Sequence, residues 1–131
     1  MIVLDTHAWI WWISGPDQLS PRAREACDRA MEDRALCISS ISVWEVALLS
    51  QRGRLRLTIA VEDWVRKAEA LPFFRFIPVD NHIALRSVQL PEGAPRDPAD
   101  RIIAATAWTL GAPLVTKDRR LRRIRGLDTV W

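Results

Sequence analysis

Cysteine and glycine are scarce in this chain of 131 residues, and their scarcity excludes several classes of protein. The two cysteines, Cys27 and Cys37, are too few for a disulfide scaffold and lack the spacing of a metal-binding motif, which favours a reducing compartment. The five glycines supply neither G-x-G-x-x-G nor G-x-x-x-x-G-K, so dinucleotide-binding and P-loop proteins are excluded.

Long apolar runs are also absent, since no stretch approaches the roughly 18 apolar residues of a membrane-spanning helix. Segment 1–13 is apolar, but it has no basic start and Asp5 and His7 interrupt it, so we expect neither a signal peptide nor a membrane anchor. With 49% apolar and 27% charged residues, the composition is that of a folded protein. We expect a single soluble domain over residues 1–131, located in the cytoplasm.

The net charge of +3 conceals an uneven distribution of basic residues. Segment 117–125, KDRRLRRIR, contains six basic residues and one acidic residue, whereas the other 122 residues contain 13 basic and 15 acidic residues. A local basic segment is typical of proteins that bind nucleic acid. A solvated amphipathic turn explains the segment equally well.

Short apolar segments alternate with segments of helical periodicity along the chain. The expected strands cover residues 2–4, 36–38, 74–79, 114–116 and 129–131. The expected helices cover about residues 9–13, 21–33, 40–52, 58–71, 81–90 and 98–110. This alternation predicts an α/β fold in which helices flank a central parallel sheet of about four to five short strands.

Four acidic residues are expected to meet at one edge of this sheet, because sites in such folds form beyond the carboxyl ends of the strands. Asp5 and Asp118 follow predicted strands, and Glu45 and Asp100 lie in the first turns of predicted helices. Four adjacent carboxylates cannot all stay ionised without a compensating cation, and oxygen ligands favour Mg²⁺ or Mn²⁺. Individually, each acid also has a structural interpretation as a helix cap, a turn residue or a solvated side chain, and Asp97 is expected to be a helix cap.

Three segments, MIVLDTHAWIWW, SSISVWEVALL and DPADRIIAATAWTLGAPLVTKD, resemble the VapC-type PIN-domain ribonucleases, the toxin halves of bacterial and archaeal toxin–antitoxin pairs. The matching segments follow the order and spacing of that family over nearly the whole chain. The resemblance implies a PIN-like fold and a hydrolase that cleaves RNA endonucleolytically with Mg²⁺ or Mn²⁺.

Carried over by position, the resemblance implies that the same four acids form the catalytic and metal site. Asp5 and Asp100 would be the principal metal ligands, while Glu45 and Asp118 would bind the metal through water or orient the attacking water. Further substrate contacts are expected from Thr116, Arg101, Arg119 and Arg120. The arginines could hold RNA phosphates, although Arg101 could instead pair with an acid.

The resemblance also implies two protein partners, a VapB-like antitoxin and a second copy of the chain in a homodimer. The antitoxin would lie in an apolar groove and reach the acidic site. Trp9, Trp11, Trp12 and Trp44 are candidates for that groove or for the dimer face, and we expect at least two of them in the core instead.

Two other classes of function remain open at this stage. A phosphohydrolase of the haloacid-dehalogenase type would use Asp5 as its nucleophile, but that motif requires a second aspartate where this chain has His7. A non-catalytic PIN-like module would bind RNA or protein without chemistry, and the presence of all four acids does not favour it.

Overall fold

The computed structural model describes residues 1–131 as seven α-helices and five short strands. The strands are β1 (Ile2–Leu4), β2 (Leu36–Ser39), β3 (Phe74–Ile77), β4 (Leu114–Val115) and β5 (Thr129–Val130). The helices are α1 (Thr6–Ser14), α2 (Pro21–Glu32), α3 (Ser40–Gln51), α4 (Val61–Glu69), α5 (Asn81–Val88), α6 (Pro98–Leu110) and α7 (Arg119–Arg122). The predicted α/β fold is confirmed.

All five strands are parallel and lie in the order β3-β2-β1-β4-β5. β1 lies at the centre of the sheet between β2 and β4, with Val3 opposite both Cys37 and Leu114. Because the strands are parallel, all five carboxyl ends lie at one edge, and the helices that follow them begin there.

Alternate residues of the central strands enter the two hydrophobic cores of the protein. On one face, Leu4 and Ile38 pack with Trp9 of α1 in the larger cluster. On the other face, Val3 packs with Ile103 of α6 in the smaller one. Since strand side chains alternate between faces, this pattern explains why β1 is buried throughout, as a central parallel strand requires.

Three helices begin or end at residues that differ from the predicted ones. α1 begins at Thr6 rather than Trp9, because the carboxylate of Asp5 caps it. α4 begins at Val61 rather than Thr58, and its acidic first turn interacts favourably with the helix dipole. α5 begins at Asn81 after its cap Asp80, and it ends at Val88 rather than at residue 90.

The strands are also slightly different in extent from the predicted ones. β3 ends at Ile77, one residue before Pro78, which has no N–H to donate to a neighbouring strand. β4 ends at Val115, so Thr116 lies just beyond the strand. None of the helices combines the length and apolar character that crossing a bilayer requires.

Three of the four candidate tryptophans, Trp9, Trp11 and Trp12, pack in or against the core, where at least two were expected. Trp9 is fully buried, and Trp12 packs edge-on against Phe73 and Phe74. Trp44 is 56% exposed on α3, whereas Trp11 is partly exposed at the carboxyl edge of the sheet. These two positions are therefore available for contacts outside the core.

Ile103 connects the core to the carboxyl edge of the sheet, since it is 1% exposed and also lines the pocket there. We expect Ile103→Ala to lower the free energy of unfolding by about 2–5 kcal/mol through lost burial and the cavity that remains. Leu85→Ala, at a side chain that is 65% exposed, should change it by less than about 0.5 kcal/mol. Urea denaturation measures both, and similar values for the two variants would contradict this account of the core.

Candidate active site

Two acidic residues at the carboxyl edge of the sheet cap the helices that begin there. Asp5 directly follows β1, and its carboxylate accepts a hydrogen bond from the Ala8 N–H at 2.8 Å. Asp118 follows β4 and accepts one from the Arg120 N–H, also at 2.8 Å. An N-cap carboxylate satisfies an otherwise unpaired N–H and interacts favourably with the helix dipole. The fold thus fixes both side chains at this edge.

The first turn of α6 brings two further carboxylates to the same edge. Asp97 caps this helix, accepting a hydrogen bond from the Ala99 N–H at 3.4 Å. Asp100 lies three residues later, and residues with this spacing share one face of a helix. The sequence DPAD therefore places both acids beside the ends of β1 and β4.

Glu45 reaches the site from α3 and is held there by the residue that follows Asp5. The hydroxyl of Thr6 donates a hydrogen bond to Glu45 Oε1 at 2.5 Å, and it also lies 2.9 Å from Ser42 Oγ. Thr6 and Ser42 are both buried. A buried hydroxyl bridge therefore connects the start of α1 to the acid on α3.

These side chains line one pocket of about 390 Å³. The pocket contains five carboxylates, two basic side chains and only two hydrophobic side chains. Its walls are formed by Asp5, Thr6, His7, Trp11, Glu45, Asp97, Asp100, Ile103, Lys117, Asp118 and Arg120. The structure thus brings together the four acids singled out by the sequence, and adds Asp97 to them.

Burial raises the pKa of three of these acids. At Asp5, hydrogen bonds from the Thr116 side chain and the Ala8 backbone oppose this rise in pKa. At Glu45, the hydrogen bond from Thr6 opposes it. Both pKa values remain raised. Burial, together with the neighbouring carboxylates, raises the pKa of Asp100 to about 7. Burial is the largest cause at all three acids and neighbouring carboxylates add to it, so a cation bound among them would favour their charged forms.

Asp118 differs from the other acids because Arg120 compensates its charge. The guanidinium donates from Nη2 to Asp118 Oδ2 at 2.9 Å and from Nε to Oδ1 at 3.3 Å. This hydrogen bonding is the largest influence on Asp118 and lowers its pKa. The same Nη2 lies 3.6 Å from Asp100 Oδ2, so one exposed arginine bridges two acids of the pocket.

The donor set of the pocket fits a hard divalent cation. No three Asp, Glu, His or Cys side chains form a ready-made ligand cluster. Mg²⁺ commonly binds through one or two carboxylates and keeps several water molecules, so it does not require such a cluster. The pocket offers five carboxylates and a single imidazole, that of His7, and a donor set dominated by oxygen suits a cation of this kind.

Comparison with known proteins identifies the scaffold that carries this pocket. Residues 2–127 match the PIN domain family. The chain belongs to the PIN-domain family. Ribonuclease VapC22 of Mycobacterium tuberculosis is 40% identical over 132 residues, which cover 99% of this chain and 98% of that protein. The VapC-type resemblance is confirmed, and nothing in these matches supports the phosphohydrolase alternative.

Two solved structures are also similar to this chain. DNA-bound VapBC from Salmonella typhimurium has a TM-score of 0.69 and 25% identity, covering 98% of this chain and 97% of that chain. A toxin–antitoxin complex from Klebsiella pneumoniae has a TM-score of 0.64 and 27% identity, covering 97% and 95%. The PIN-like fold expected from the sequence is thereby confirmed.

The basic residues predicted to contact RNA occupy different positions in this PIN domain. Arg120 lines the pocket, whereas Arg119 is exposed outside it. Arg101 points away, because its guanidinium donates to the backbone carbonyls of Ser87 at 2.8 Å, Pro95 at 2.9 Å and Val88 at 3.4 Å. Neither an acid nor the pocket engages Arg101. These hydrogen bonds fasten the end of α5 to α6 and give no support to a substrate contact at Arg101.

Thr116 is fully buried beside the pocket of this PIN domain. Its hydroxyl accepts a hydrogen bond from the Asp118 N–H at 3.0 Å, and its side chain hydrogen-bonds to Asp5. Thr116 therefore positions two acids at once, one after β1 and one after β4.

Sequence reasoning missed Asp97 as a member of the pocket, although it identified the residue as a helix cap. Its charge contributes to the raised pKa values of both Glu45 and Asp100. The DPAD spacing does predict that Asp97 lies beside Asp100, because a cap and the residue three positions later lie on one side of a helix. Lys117 and Thr6 were not singled out either, although they lie in the basic segment 117–125 and in the segment MIVLDTHAWIWW.

The raised pKa of Asp100 predicts how stability depends on pH in the metal-free PIN domain. Its value of about 7 lies above the ordinary 3.8, so the folded state holds this proton more tightly than the unfolded chain does. Between about pH 4 and pH 7 the Asp100 contribution to the free energy of unfolding therefore falls as pH rises. Asp5 and Glu45 act in the same direction, whereas Asp118 acts in the opposite one.

Urea denaturation of wild type and Asp100→Asn at several pH values tests this prediction. The variant should lose less stability than wild type across the window, because its amide does not titrate. Asp17→Asn, at an exposed position outside the pocket, should follow wild type. Identical pH profiles for wild type and Asp100→Asn would show that the pKa of Asp100 is not raised.

Proposed function

We propose that the protein is the toxin of a type II toxin–antitoxin pair and an endoribonuclease that hydrolyses RNA phosphodiester bonds with Mg²⁺ or Mn²⁺. One observation carries the proposal: five carboxylates converge in a single pocket of a PIN domain that is 40% identical to Ribonuclease VapC22. Dense negative charge disfavours an RNA backbone unless cations intervene. The pocket is therefore suited to binding RNA only together with a divalent ion.

Asp5 and Asp100 are the proposed principal ligands of that ion. Mg²⁺ or Mn²⁺ supplies charge stabilisation at the scissile phosphate and lowers the pKa of water. Glu45 and Asp118 would orient the attacking water or bind the ion through water. The hydrogen bond from Thr6 supports this role of Glu45, since it fixes the direction of the Glu45 carboxylate.

Arg120 is the proposed phosphate-binding residue of the site. It is exposed and lines the pocket, so a phosphate can replace the carboxylates that its guanidinium now contacts. Arg119 lies one residue away on the exposed side of α7, where it would contact phosphates farther along the RNA.

The proposed antitoxin would bind beside Trp44. An exposed groove is lined by Trp44 with Leu48 and Val61, and a neighbouring groove extends from Trp44 past Glu45 to Asp97. An apolar segment in the first groove could thus continue toward the acidic pocket. We also propose that the protein acts as a homodimer in the cytoplasm, where its two buried cysteines stay reduced.

Substitution of Asp5 tests the proposed chemistry. We expect Asp5→Asn to reduce RNA cleavage to background in the presence of Mg²⁺ or Mn²⁺, because it removes the proposed metal-ligand charge. The fold should persist, since asparagine caps a helix about as well as aspartate. Cleavage of labelled RNA on gels and circular dichroism measure the two effects.

Asp80→Asn is the matched control for this substitution. Asp80 caps α5 with the same 2.8 Å geometry, but it lies outside the pocket. This variant should cleave like wild type. Full activity in a folded Asp5→Asn variant would contradict the site assignment, and a wild type that cleaves no RNA would favour the non-catalytic binding module.

A further inference from the structure

One wall of the acidic pocket carries an aromatic ring that the proposed hydrolysis does not use. Trp11 and Ile103 are the two large hydrophobic side chains of the pocket, and Ile103 is almost fully buried. Trp11 is partly exposed and therefore presents the indole surface of the pocket. Next to acids that act on a phosphate, this ring lies where the rest of a nucleotide must be accommodated.

The surroundings of Trp11 differ from those of a core tryptophan. Trp9, two residues earlier, is fully buried against other aromatic rings such as Trp64 at 4.8 Å. Trp11 instead has His7 at 5.6 Å between ring centroids and the Lys117 ammonium 6.0 Å from its ring, and both of these neighbours are exposed. Trp11 thus shares the pocket wall with an exposed imidazole and with an exposed ammonium that lies over its ring.

Packing neighbours also hold the Trp11 ring in place, since it lies against the larger hydrophobic cluster. His7 precedes Trp11 by four residues, so both lie on the same face of α1. The ring of Trp131 packs at 6.0 Å from that of Trp11, which restricts its motion. A supported ring binds a planar ligand with little loss of conformational entropy.

We propose that Trp11 is a stacking site for an unpaired RNA base adjacent to the cleaved bond, with Lys117 holding a neighbouring phosphate. The inference rests on the proposed function. Bases stack on aromatic side chains only when they are unstacked from their own strand, so the preferred substrate is single-stranded at this position. The five carboxylates cannot hold RNA by themselves, and an aromatic and cationic wall supplies the binding energy they lack.

Removal of single bases from an RNA substrate tests this inference. A short RNA that wild type cleaves is prepared with an abasic ribose at each position around the mapped cleavage site. For wild type, we expect one adjacent position at which the abasic change raises KM by about 5- to 160-fold, the range of one base–aromatic stack. Trp11→Leu should raise the KM for the intact RNA by a similar factor. In this variant, the abasic change at that position should not raise KM further.

Two variants control for lost packing. Trp11→Phe keeps an aromatic face, so it should retain most of the wild-type difference in KM between intact and abasic RNA. Trp12→Leu makes the same substitution at the next residue of α1, outside the pocket, and should keep the full wild-type abasic profile.

The possible outcomes separate this inference from the proposed function. A wild type that cleaves RNA but tolerates every abasic substitution overturns the stacking site, even if Trp11→Leu does not fold. If base removal raises KM equally in Trp11→Leu and in wild type, the stacking site is overturned as well. A wild type that cleaves no RNA overturns the proposed function, and the stacking site with it.

Discussion

The rest of the site depends on the repulsion among carboxylates that lie at one edge of the sheet. The helix N-termini hold these carboxylates there and oppose the repulsion. A parallel sheet brings strand ends and helix starts together at that edge. Asp5, Asp97 and Asp118 each use this arrangement, because each caps a helix while its side chain lines the pocket. Their positions are fixed by hydrogen bonds to the backbone, and they stay together despite their like charge.

The compensation of that charge differs between the two sides of the pocket. On one side, Arg120 bonds to Asp118 and approaches Asp100, and the pKa of Asp118 is lowered. On the other side, burial raises the pKa values of Asp5 and Glu45 despite hydrogen bonds from Thr116, Thr6 and the backbone and despite the nearby charge of His7. A divalent cation would provide the missing charge, which connects the electrostatics of the fold to the proposed hydrolysis.

Much of this architecture could be predicted from the sequence where local signals agree with the fold. α6 has a cap and a proline at its start, and it ends at Gly111, whose φ of 62° is left-handed and favours glycine. The short apolar strands followed by acids correctly predicted that Asp5 and Asp118 would meet. Conversely, the start of α1 was missed because Asp5 serves as both cap and pocket residue.

Tertiary contacts account for the remaining differences between the expectations from the sequence and the structure. Arg101 follows Asp100 directly, yet its guanidinium turns to the carbonyl groups at the end of α5, a contact that no sequence spacing reveals. The basic segment, which could have been a solvated turn, divides into α7 and a loop. It contributes Lys117 and Arg120 to the pocket, while Leu121 and Ile124 enter the core.

The central claim is that a divalent cation relieves the repulsion among these acids, and thermal unfolding with Mn²⁺ tests it most directly. A ligand that binds only the folded state raises Tm, and carboxylates bind metal only when deprotonated. We predict that Mn²⁺ raises the Tm of wild type clearly at about pH 8 and much less at about pH 5, where Asp100 keeps its proton. Asp100→Asn should respond less than wild type at the higher pH. An unchanged Tm of wild type with millimolar Mn²⁺ at the higher pH would contradict the account.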